Sequence, residues 1–531
     1  PLAWQSVYAY NDETFGAGSL LGRKDDTEVV LTRSLLAALR RLNPGRPEEA
    51  YHQAVDALTS YDAAKTLLQV NAEMYTLQRE GVPVTYRTPQ GKERNERLRV
   101  FDFEHPENND FLAVRELWVR GPIYRRRPDI IGFVNGLPLL FIELKKHHKD
   151  LRVAYDENLS DYRDTIPHLF YHNAFIVLAN GLRGRIGSLT SKYEHFGEWK
   201  RLAENEPGKV DFQTLLLGVC RKASFMDLFE NFILFDRSKA EPRKIIARNH
   251  QYLGVNQSFA AVQEREVRAG KLGVFWHTQG AGKSYSMAFL ARKVHRKLPG
   301  DYTFLMLTDR LELDKQLYKT FVGIGEVAEG EECRATSGAH LQTLLGQNHR
   351  YVFSLIHKFN LENQEPYSQR SNLIVFSDEA HRTQYGLFAR RMRFALPKAA
   401  YMGFTGTPLL GGPEDQLTRQ IFGDYVSVYD FYRAVEDGST VPLYYDNRGE
   451  KLGITTESLN EKIADVLDSY DLEKEKEERV RRALSQEYAV ITAPARLERI
   501  AQDFVAHYTK RWQTGKALIV CVDKLTTVRL H

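Results

Sequence analysis

The stretch "RPDIIGFVNGLPLLFIELKK" (residues 127–146) joins two apolar runs through Asn135-Gly136 and carries Asp129 at one end and Glu143 and Lys145 at the other. Asn-Gly between two such runs is a strong hairpin signal, because a two-residue type I′ turn needs positive φ at both central positions. The stretch therefore reads as two antiparallel strands apolar enough to be buried. Charge in a buried strand costs free energy unless it is paired or holds a metal. The three charged groups are thus either solvated strand ends or parts of a site.

Side chains alternate along a strand, so Glu143 and Lys145 share one face. Whether Asp129 joins them depends on the turn. With Asn135-Gly136 as the whole loop, Val134 pairs with Leu137, and Asp129 falls opposite Ile142, on the wrong face from Glu143. With Asn135-Gly136-Leu137 as the loop, Asp129 lies directly opposite Glu143, their Cβ atoms about 5 Å apart. With Val134-Asn135-Gly136 the two carboxylates are diagonal neighbours, and a bulge in the ladder also brings them together. A metal-dependent nuclease needs carboxylates that hold Mg²⁺ against the scissile phosphate and a basic group near the attacking water. Asp129, Glu143 and Lys145 are of that kind, so the nuclease reading requires an odd loop or a bulge. A plain two-residue turn with the carboxylates on opposite faces counts against it.

At 531 residues the chain is too long for one core and implies roughly two to four domains. Hydrophobic residues at 43% and charged residues at 27% fit a soluble globular protein without a disorder signature. Cys220, Cys333 and Cys521 share no short spacing, which argues against a disulfide framework or a Cys-based zinc site and for a cytoplasmic protein. The start, "PLAWQSVYAYND", lacks the basic and apolar regions of a signal peptide, and Pro1 in place of Met suggests a trimmed chain. No later run reaches the about 18 apolar residues of a membrane span, so no membrane is expected. The net charge of +4 says little about partners. The basic runs "YRRRPD" (124–129) and "KKHHK" (145–149) suit phosphate, and equally a solvated surface.

Residues 27–80 repeat apolar positions at three and four spacing, which predicts two or three helices broken at "NPGRP" (43–47). From about 82 the texture changes to short β-rich runs, "VPVTYRT", "LRVFDFE", "DIIGFV", "LPLLFIEL" and "AFIVLAN". A helical, aromatic-rich stretch at 214–235 links this α+β or α/β domain to the next. Beyond Arg243 strands alternate with helices: "KLGVFWHT", "YTFLMLTDR", "YVFSLI", "NLIVFSDEA" and "AAYMGFTGTP". That order predicts a parallel sheet covered by helices. After about Val441 come a charged helical segment (471–488), a further helix, and a final strand "KALIVCV" (516–522) opening another α/β unit. No internal repeat is visible.

"HTQGAGKSYSM" (277–287) follows an apolar strand and precedes a helix, the context in which backbone N–H groups cradle a phosphate. Thr278, Gly280, Ala281 and Gly282 would line that cradle. Lys283 would reach the β/γ phosphates, and the Ser284 hydroxyl would ligate Mg²⁺. His277 stands where the strict pattern has its first Gly. About a hundred residues on, "LIVFSDEAHR" (373–382) sets Asp378 and Glu379 just after a strand. In an ATPase one such carboxylate serves the Mg²⁺ shell and the other positions the attacking water.

"GAGKS", "DEAH" and "GFTGTP" (403–408), with "LTDR" (307–310) between the first two, resemble motifs of superfamily 2 helicases and translocases. The resemblance covers about 243–435. It implies that His381, Thr405 and Thr407 couple ATP hydrolysis to DNA contacts, that Thr308 to Arg310 lie near the DNA backbone, and that Gln251 contacts adenine. The family also needs an arginine finger from a second RecA-like domain, and no "QxxGRxxR"-like stretch precedes His531. The chain is accordingly expected to bind ATP better than it hydrolyses it.

"NNDFLAVRELWVRG", "RRPDIIGFVNGLPLLFIELKK" and "DYRDTIPHLFYHNAF" in sequence resemble the motor and restriction (R) subunit of type I restriction-modification enzymes. "RLNP" (41–44), "NAEMYTLQREGVPV" (71–84) and 422–448 fit the same family. The resemblance implies a PD-(D/E)xK nuclease with Asp129, Glu143 and Lys145 catalytic, fused to a superfamily 2 translocase with Glu379 catalytic. It implies ATP and Mg²⁺ as cofactors, double-stranded DNA as substrate, and methylation and specificity subunits as partners, with S-adenosylmethionine on the methylation subunits only. Asn158 stands in the place of the family's Gln in Q-x-x-x-Y, with Tyr162 retained, and Glu28 is a candidate for the acidic residue of an N-terminal helix. The expected architecture is an endonuclease-like α/β domain with a helical N-terminal part (1–235), a first RecA-like domain (236–435), and a linker with the start of a second (436–531). The rival is a DNA helicase or remodeller whose N-terminal domain is not catalytic, and a third reading is a nucleotide-gated DNA-binding switch.

Overall fold

The computed structural model describes residues 2–10, 13–88, 90–359, 365–378, 385–408, 411–445, 492–511 and 515–531. Residues 1–442 pack as one unit and 443–531 as another. The first unit holds two six-stranded sheets.

The chain enters the first sheet with β1 (Gln5–Tyr8), then makes α1 (Thr32–Leu42), α2 (Glu48–Thr59) and α3 (Leu67–Glu80). The break at "NPGRP" falls between α1 and α2, as the sequence predicts. A reciprocal capping box between Thr66 and Gln69 starts α3. Two small ribbons follow, β2 (Val82–Arg87) with β3 (Glu93–Leu98), and β5 (Val119–Arg120) with β6 (Arg125–Arg126). Between and after them run β4 (Phe111–Arg115), β7 (Ile130–Val134), β8 (Leu137–Leu144), β9 (Phe175–Ala179) and β10 (Gly184–Gly187). The sheet order is β1-β4-β7-β8-β9-β10, with β8 and β9 parallel. Short helices α4 (Leu151–Val153) and α5 (Ser160–Thr165) flank a π-helical turn at Ala154–Leu159.

"LRVFDFE" is not the strand the sequence suggests: only Leu98 belongs to one. Its backbone is satisfied by Asn side chains instead. Asn43 Oδ1 accepts from Arg99 N, Asn135 Nδ2 donates to Val100 O, and Asn109 Oδ1 accepts from Asp102 N.

The helical reading of 214–235 divides into α6 (Phe212–Val219) and α7 (Lys222–Asn231), and its end becomes β11 (Ile233–Asp236), which pairs with β12 (Arg243–Ile246). Then come α8 (Asn249–Gln263), β13 (Lys271–His277), α9 (Lys283–Lys297), β14 (Thr303–Thr308), α10 (Leu311–Gly323), α11 (Gly338–Gly346), β15 (Tyr351–Leu355), β16 (Leu373–Asp378), α12 (Tyr385–Ala395), β17 (Ala400–Thr405), α13 (Pro413–Phe422), β18 (Tyr425–Tyr429) and α14 (Phe431–Glu436). The second sheet is parallel throughout, in the order β15-β14-β16-β17-β13-β18. Its strands are buried on both faces, as parallel sheets require. On β14, Phe304 and Met306 face one core, and Leu305 and Leu307 face the other. The first of these cores runs without a break into the first sheet, through Phe225 and Phe229 of α7.

The second unit, taken by itself, has α15 (Pro494–Arg511) and α16 (Lys524–Leu530). "KALIVCV" is not assigned as a strand: among the described residues 515–521 has no ladder partner, and Leu518, Val520 and Val522 are exposed. The charged segment 471–488 lies outside the described residues. Among the described residues no helix is long and apolar enough to cross a membrane.

Candidate functional site

The turn at Asn135-Gly136 is a two-residue loop with φ of 49° and 82°, so both positions take the conformation a type I′ turn demands. A Cβ on Gly136 would meet Leu31 O at 2.5 Å, and Asn135 is buried, its amide bonded to Val100 O and Asn109 Oδ1. Val134 pairs with Leu137 and Phe133 with Pro138, but Gly132 pairs with Leu140. Leu139 is the extra residue of a β-bulge. Beyond it the register has moved by one: Ile131 faces Phe141 and Ile130 faces Ile142, so the next residues out, Asp129 and Glu143, lie across from each other. The bulge that the nuclease reading requires is present.

Asp129 Oδ2 accepts the Leu144 N–H at 2.7 Å, and Lys145 Nζ donates to Glu143 Oε1 at 3.1 Å. Glu143 is 2% exposed, and its Oε2 is buried without a hydrogen-bond partner. Burial, and then the neighbouring Asp129 carboxylate, push the Glu143 carboxyl up from 4.5 to about 7, against the pull of Lys145. Burial also raises Asp129, opposed by the Leu144 N–H and Lys145 and reinforced by Glu116.

Tyr162 of α5, just past the π-helical turn that follows β8, lies near this pair. The Tyr162 hydroxyl is pushed up to about 12 by burial and then by Glu143, and it hydrogen-bonds Asn158. Glu28 precedes α1 instead of lying on it, and its oxygens accept from Lys24 N and Thr32 Oγ1. The sequence reading missed Glu116. It follows β4, its N–H donates to Asp129 O at 2.8 Å, and its carboxylate holds Arg127 at 3.0 Å. The acid just past "FLAVR" is the only trace in sequence, and placing it beside Asp129 needs the β4–β7 register. The arginines of "YRRRPD" are paired, Arg125 with Asp26, Arg126 with Asp161 and Arg127 with Glu116.

In the second sheet the candidate residues gather at the C-terminal ends of the parallel strands, where such sheets bind ligands. Residues 278–282 follow β13, with Gly280 and Gly282 at φ of 84° and 81°. A Cβ on Gly282 would stand 2.8 Å from Gln251 Nε2. Lys283 and Ser284 open α9, and Lys283 Nζ donates to His277 O at 3.2 Å. A Cβ on Gly406 would lie 3.1 Å from that ammonium, so the "TGT" turn after β17 sits against the loop. Asp378 closes β16 next to Phe404 of β17, and Thr308 closes β14. Thr405 Oγ1 accepts the Thr407 N–H at 3.2 Å.

Gln251 is 4% exposed; its amide donates to Gly282 O at 3.1 Å and its carbonyl accepts Arg248 N–H at 3.0 Å, so both ends brace the loop and its own helix. Thr278 N donates to Tyr429 O, and the His250 ring, stacked 3.8 Å from Tyr429, donates to Ala281 O. Buried His277 donates or accepts at Ser427 Oγ. Glu379 and His381 lie outside the described residues.

Comparison with known proteins identifies relatives for both halves of the first unit. Residues 3–195 match the family model of the type I restriction enzyme R protein N terminus, and residues 250–478 match that of the SWI2/SNF2 ATPase. The chain is 36% identical to the type I restriction enzyme HindI endonuclease subunit of Haemophilus influenzae over all of its own length and 52% of the relative's. It is 28% identical to a protein of Methanocaldococcus jannaschii provisionally named as the MjaIXP type I restriction enzyme endonuclease subunit, over 96% of this chain and 51% of that one. The chain thus spans about half the length of these relatives. Among solved structures, a fragment assigned as the HsdR subunit of a type I restriction enzyme from Vibrio vulnificus overlaps 77% of this chain and 64% of its own at 14% identity, with a TM-score of 0.31, too low to carry an argument. With an R-protein N terminus ahead of a SWI2/SNF2 ATPase domain, and with relatives of one kind along its whole length, the chain belongs to the family of type I restriction enzyme endonuclease (R) subunits.

Proposed function

We propose that this chain is the part of a type I R subunit that moves along double-stranded DNA with ATP and cuts unmodified DNA remote from the recognition site. In this reading 1–235 is the nuclease domain, 236–435 the first RecA-like motor domain, and 436–531 a linker with the start of a second. The carrying observation is the bulge at Leu139, which sets Asp129 across from a buried Glu143 whose Oε2 has no partner.

Two facing carboxylates, one with an unused buried oxygen and a raised proton affinity, fit a divalent cation. Among the described residues no group of three or more His, Cys, Asp or Glu side chains is arranged to hold a metal. In this reading Asp129 and Glu143 would hold Mg²⁺ as a two-carboxylate site, which suits an ion that keeps several waters and takes phosphate oxygens. When bound, the ion supplies charge stabilisation at the scissile phosphate and a more acidic water. Lys145, on the same face as Glu143, neutralises the phosphate and orients the water. Asn158 and Tyr162 position the pair from the following turn.

In the motor, Lys283 and the amides of 278–282 would hold the ATP phosphates, with Ser284 and Asp378 around their Mg²⁺ and Glu379 orienting the attacking water. Gln251 acts on the loop through Gly282 as well as toward adenine. His381, Thr405 and Thr407 couple hydrolysis to DNA. Methylation and specificity subunits supply site recognition, S-adenosylmethionine belongs to the former, and the assembly works in the cytoplasm.

The test is Asp129→Ala and Lys145→Ala in the assembled enzyme. DNA cleavage should fall more than about a hundredfold, while ATPase activity and triplex displacement persist. Cleavage that survives both changes would favour a remodeller with a non-catalytic N-terminal domain.

A further inference from the structure

Lys244 lies on β12, in the hairpin between the two sheets, and is 2% exposed. Among the described residues no carboxylate pairs with it. Its ammonium donates to Asn71 Oδ1 at 3.0 Å and to the backbone carbonyl of Asn173. Burial alone pulls it down from 10.5 to about 7. Its main chain is fixed as well: Lys244 N donates to Thr190 Oγ1 at 2.9 Å, and Lys244 O accepts from Ser188 Oγ at 2.6 Å. A buried, unpaired ammonium is an unfavourable way to join two domains, and an apolar residue of the same size would pack there at lower cost. What the ammonium holds explains its use.

The Asn173 carbonyl is also held by Asn71 Nδ2 at 2.9 Å. Asn173 Nδ2 in turn donates to Leu139 O at 3.3 Å and to Phe175 O at 2.9 Å, and the next residue, Ala174, donates its N–H to Leu139 O at 2.7 Å. Leu139 is the bulge residue, and all that separates it from Glu143 is three strand positions.

We propose that Lys244 is a positioning residue for the Asp129–Glu143 pair: it fixes Asn173, Asn173 fixes the bulge at Leu139, and the bulge sets the two carboxylates across from each other. The proposal rests on the reading of that pair as the nuclease metal site. It also ties the nuclease register to the motor. The hairpin strand opposite Lys244 ends at Asp236, whose carboxylate accepts the Tyr285 hydroxyl at 2.6 Å, and Tyr285 follows Ser284 of the phosphate loop.

The experiment measures Mg²⁺ dependence of cleavage, and Mn²⁺ affinity without nucleotide, in the full-length enzyme for Lys244→Met, Asn173→Asp and Asp129→Ala. Met fills the space without donating; Asp keeps the shape of Asn but cannot donate to Leu139 O. Either change should raise half-saturating Mg²⁺ and the Mn²⁺ dissociation constant about tenfold or more, the scale of losing a group that orients a metal ligand, with ATPase activity intact. A merely structural role would lower cleavage in step with the folded fraction and leave the metal dependence unchanged, and that result overturns the proposal. If Lys244→Met does not fold, Asn173→Asp decides. Cleavage surviving in Asp129→Ala would instead refute the nuclease site itself, which keeps the two failures distinct.

Discussion

Asp129 and Glu143 face each other one step beyond the Ile130–Ile142 pair, and Asp129 Oδ2 is tied to the main chain of Leu144 at 2.7 Å. Glu143 is the carboxylate whose second oxygen is buried without a hydrogen-bond partner. With its proton affinity raised from 4.5 to about 7, Glu143 takes up a proton on folding between those values. The folded, metal-free chain therefore loses stability as pH rises from about 4.5 through 7, by roughly 3 kcal/mol. Adding Mg²⁺ should restore it.

Metal binding should accordingly release protons. Near pH 6, calorimetry in buffers of different ionisation enthalpy should show close to one proton released per metal bound, falling toward none by about pH 8. Half-saturating Mg²⁺ should fall over the same range. Proton release that does not change with pH would mean that Glu143 is not a ligand.

Gly132→Ala tests the bulge. A Cβ there would stand 2.8 Å from Leu140 Cβ and 2.8 Å from the Trp4 ring. Overpacking of this kind costs about 1–3 kcal/mol, which urea unfolding will read. The Leu140 side chain must shift, so cleavage should weaken more than ATPase activity does.

Lys244→Met tests the buried ammonium. A lysine held near 7 in the folded chain and at its ordinary 10.5 when unfolded makes the wild type gain stability as pH rises between those values. At pH 7 the Met variant should be the more stable. Its advantage should shrink by roughly 2–3 kcal/mol by about pH 9, followed by denaturant midpoints. A residue kept at such a cost fits a site that trades stability for activity.

Much of this was legible in the residues. Asn135-Gly136 announced the hairpin, and the alternating charges of 143 and 145 fixed a face. The order strand, glycine loop, helix set the phosphate loop at the C-terminal end of a strand. The sequence called for an odd loop or a bulge without choosing between them; that the ladder shifts at Leu139 was not legible, because Gly132 there lies against Trp4 and Leu140, and Trp4 is far away in sequence. β18 was missed although "YVSVY" alternates, since its burial comes from pairing with β13. "KALIVCV" shows the converse: apolar, β-branched composition makes no strand where, among the described residues, no neighbour completes its ladder. Glu116, Asn173 and Lys244 are ordinary residues in sequence and reach their contacts only through strand register and packing between segments far apart in the chain.

The most direct test of the central claim is Mn²⁺ binding to the full-length, nucleotide-free chain, followed by electron paramagnetic resonance in the wild type and in Glu143→Gln. Glutamine keeps the size and burial of Glu143 and removes its charge. The account predicts a bound Mn²⁺ in the wild type that is lost in Glu143→Gln, together with DNA cleavage. Equal Mn²⁺ binding in the two proteins would contradict it.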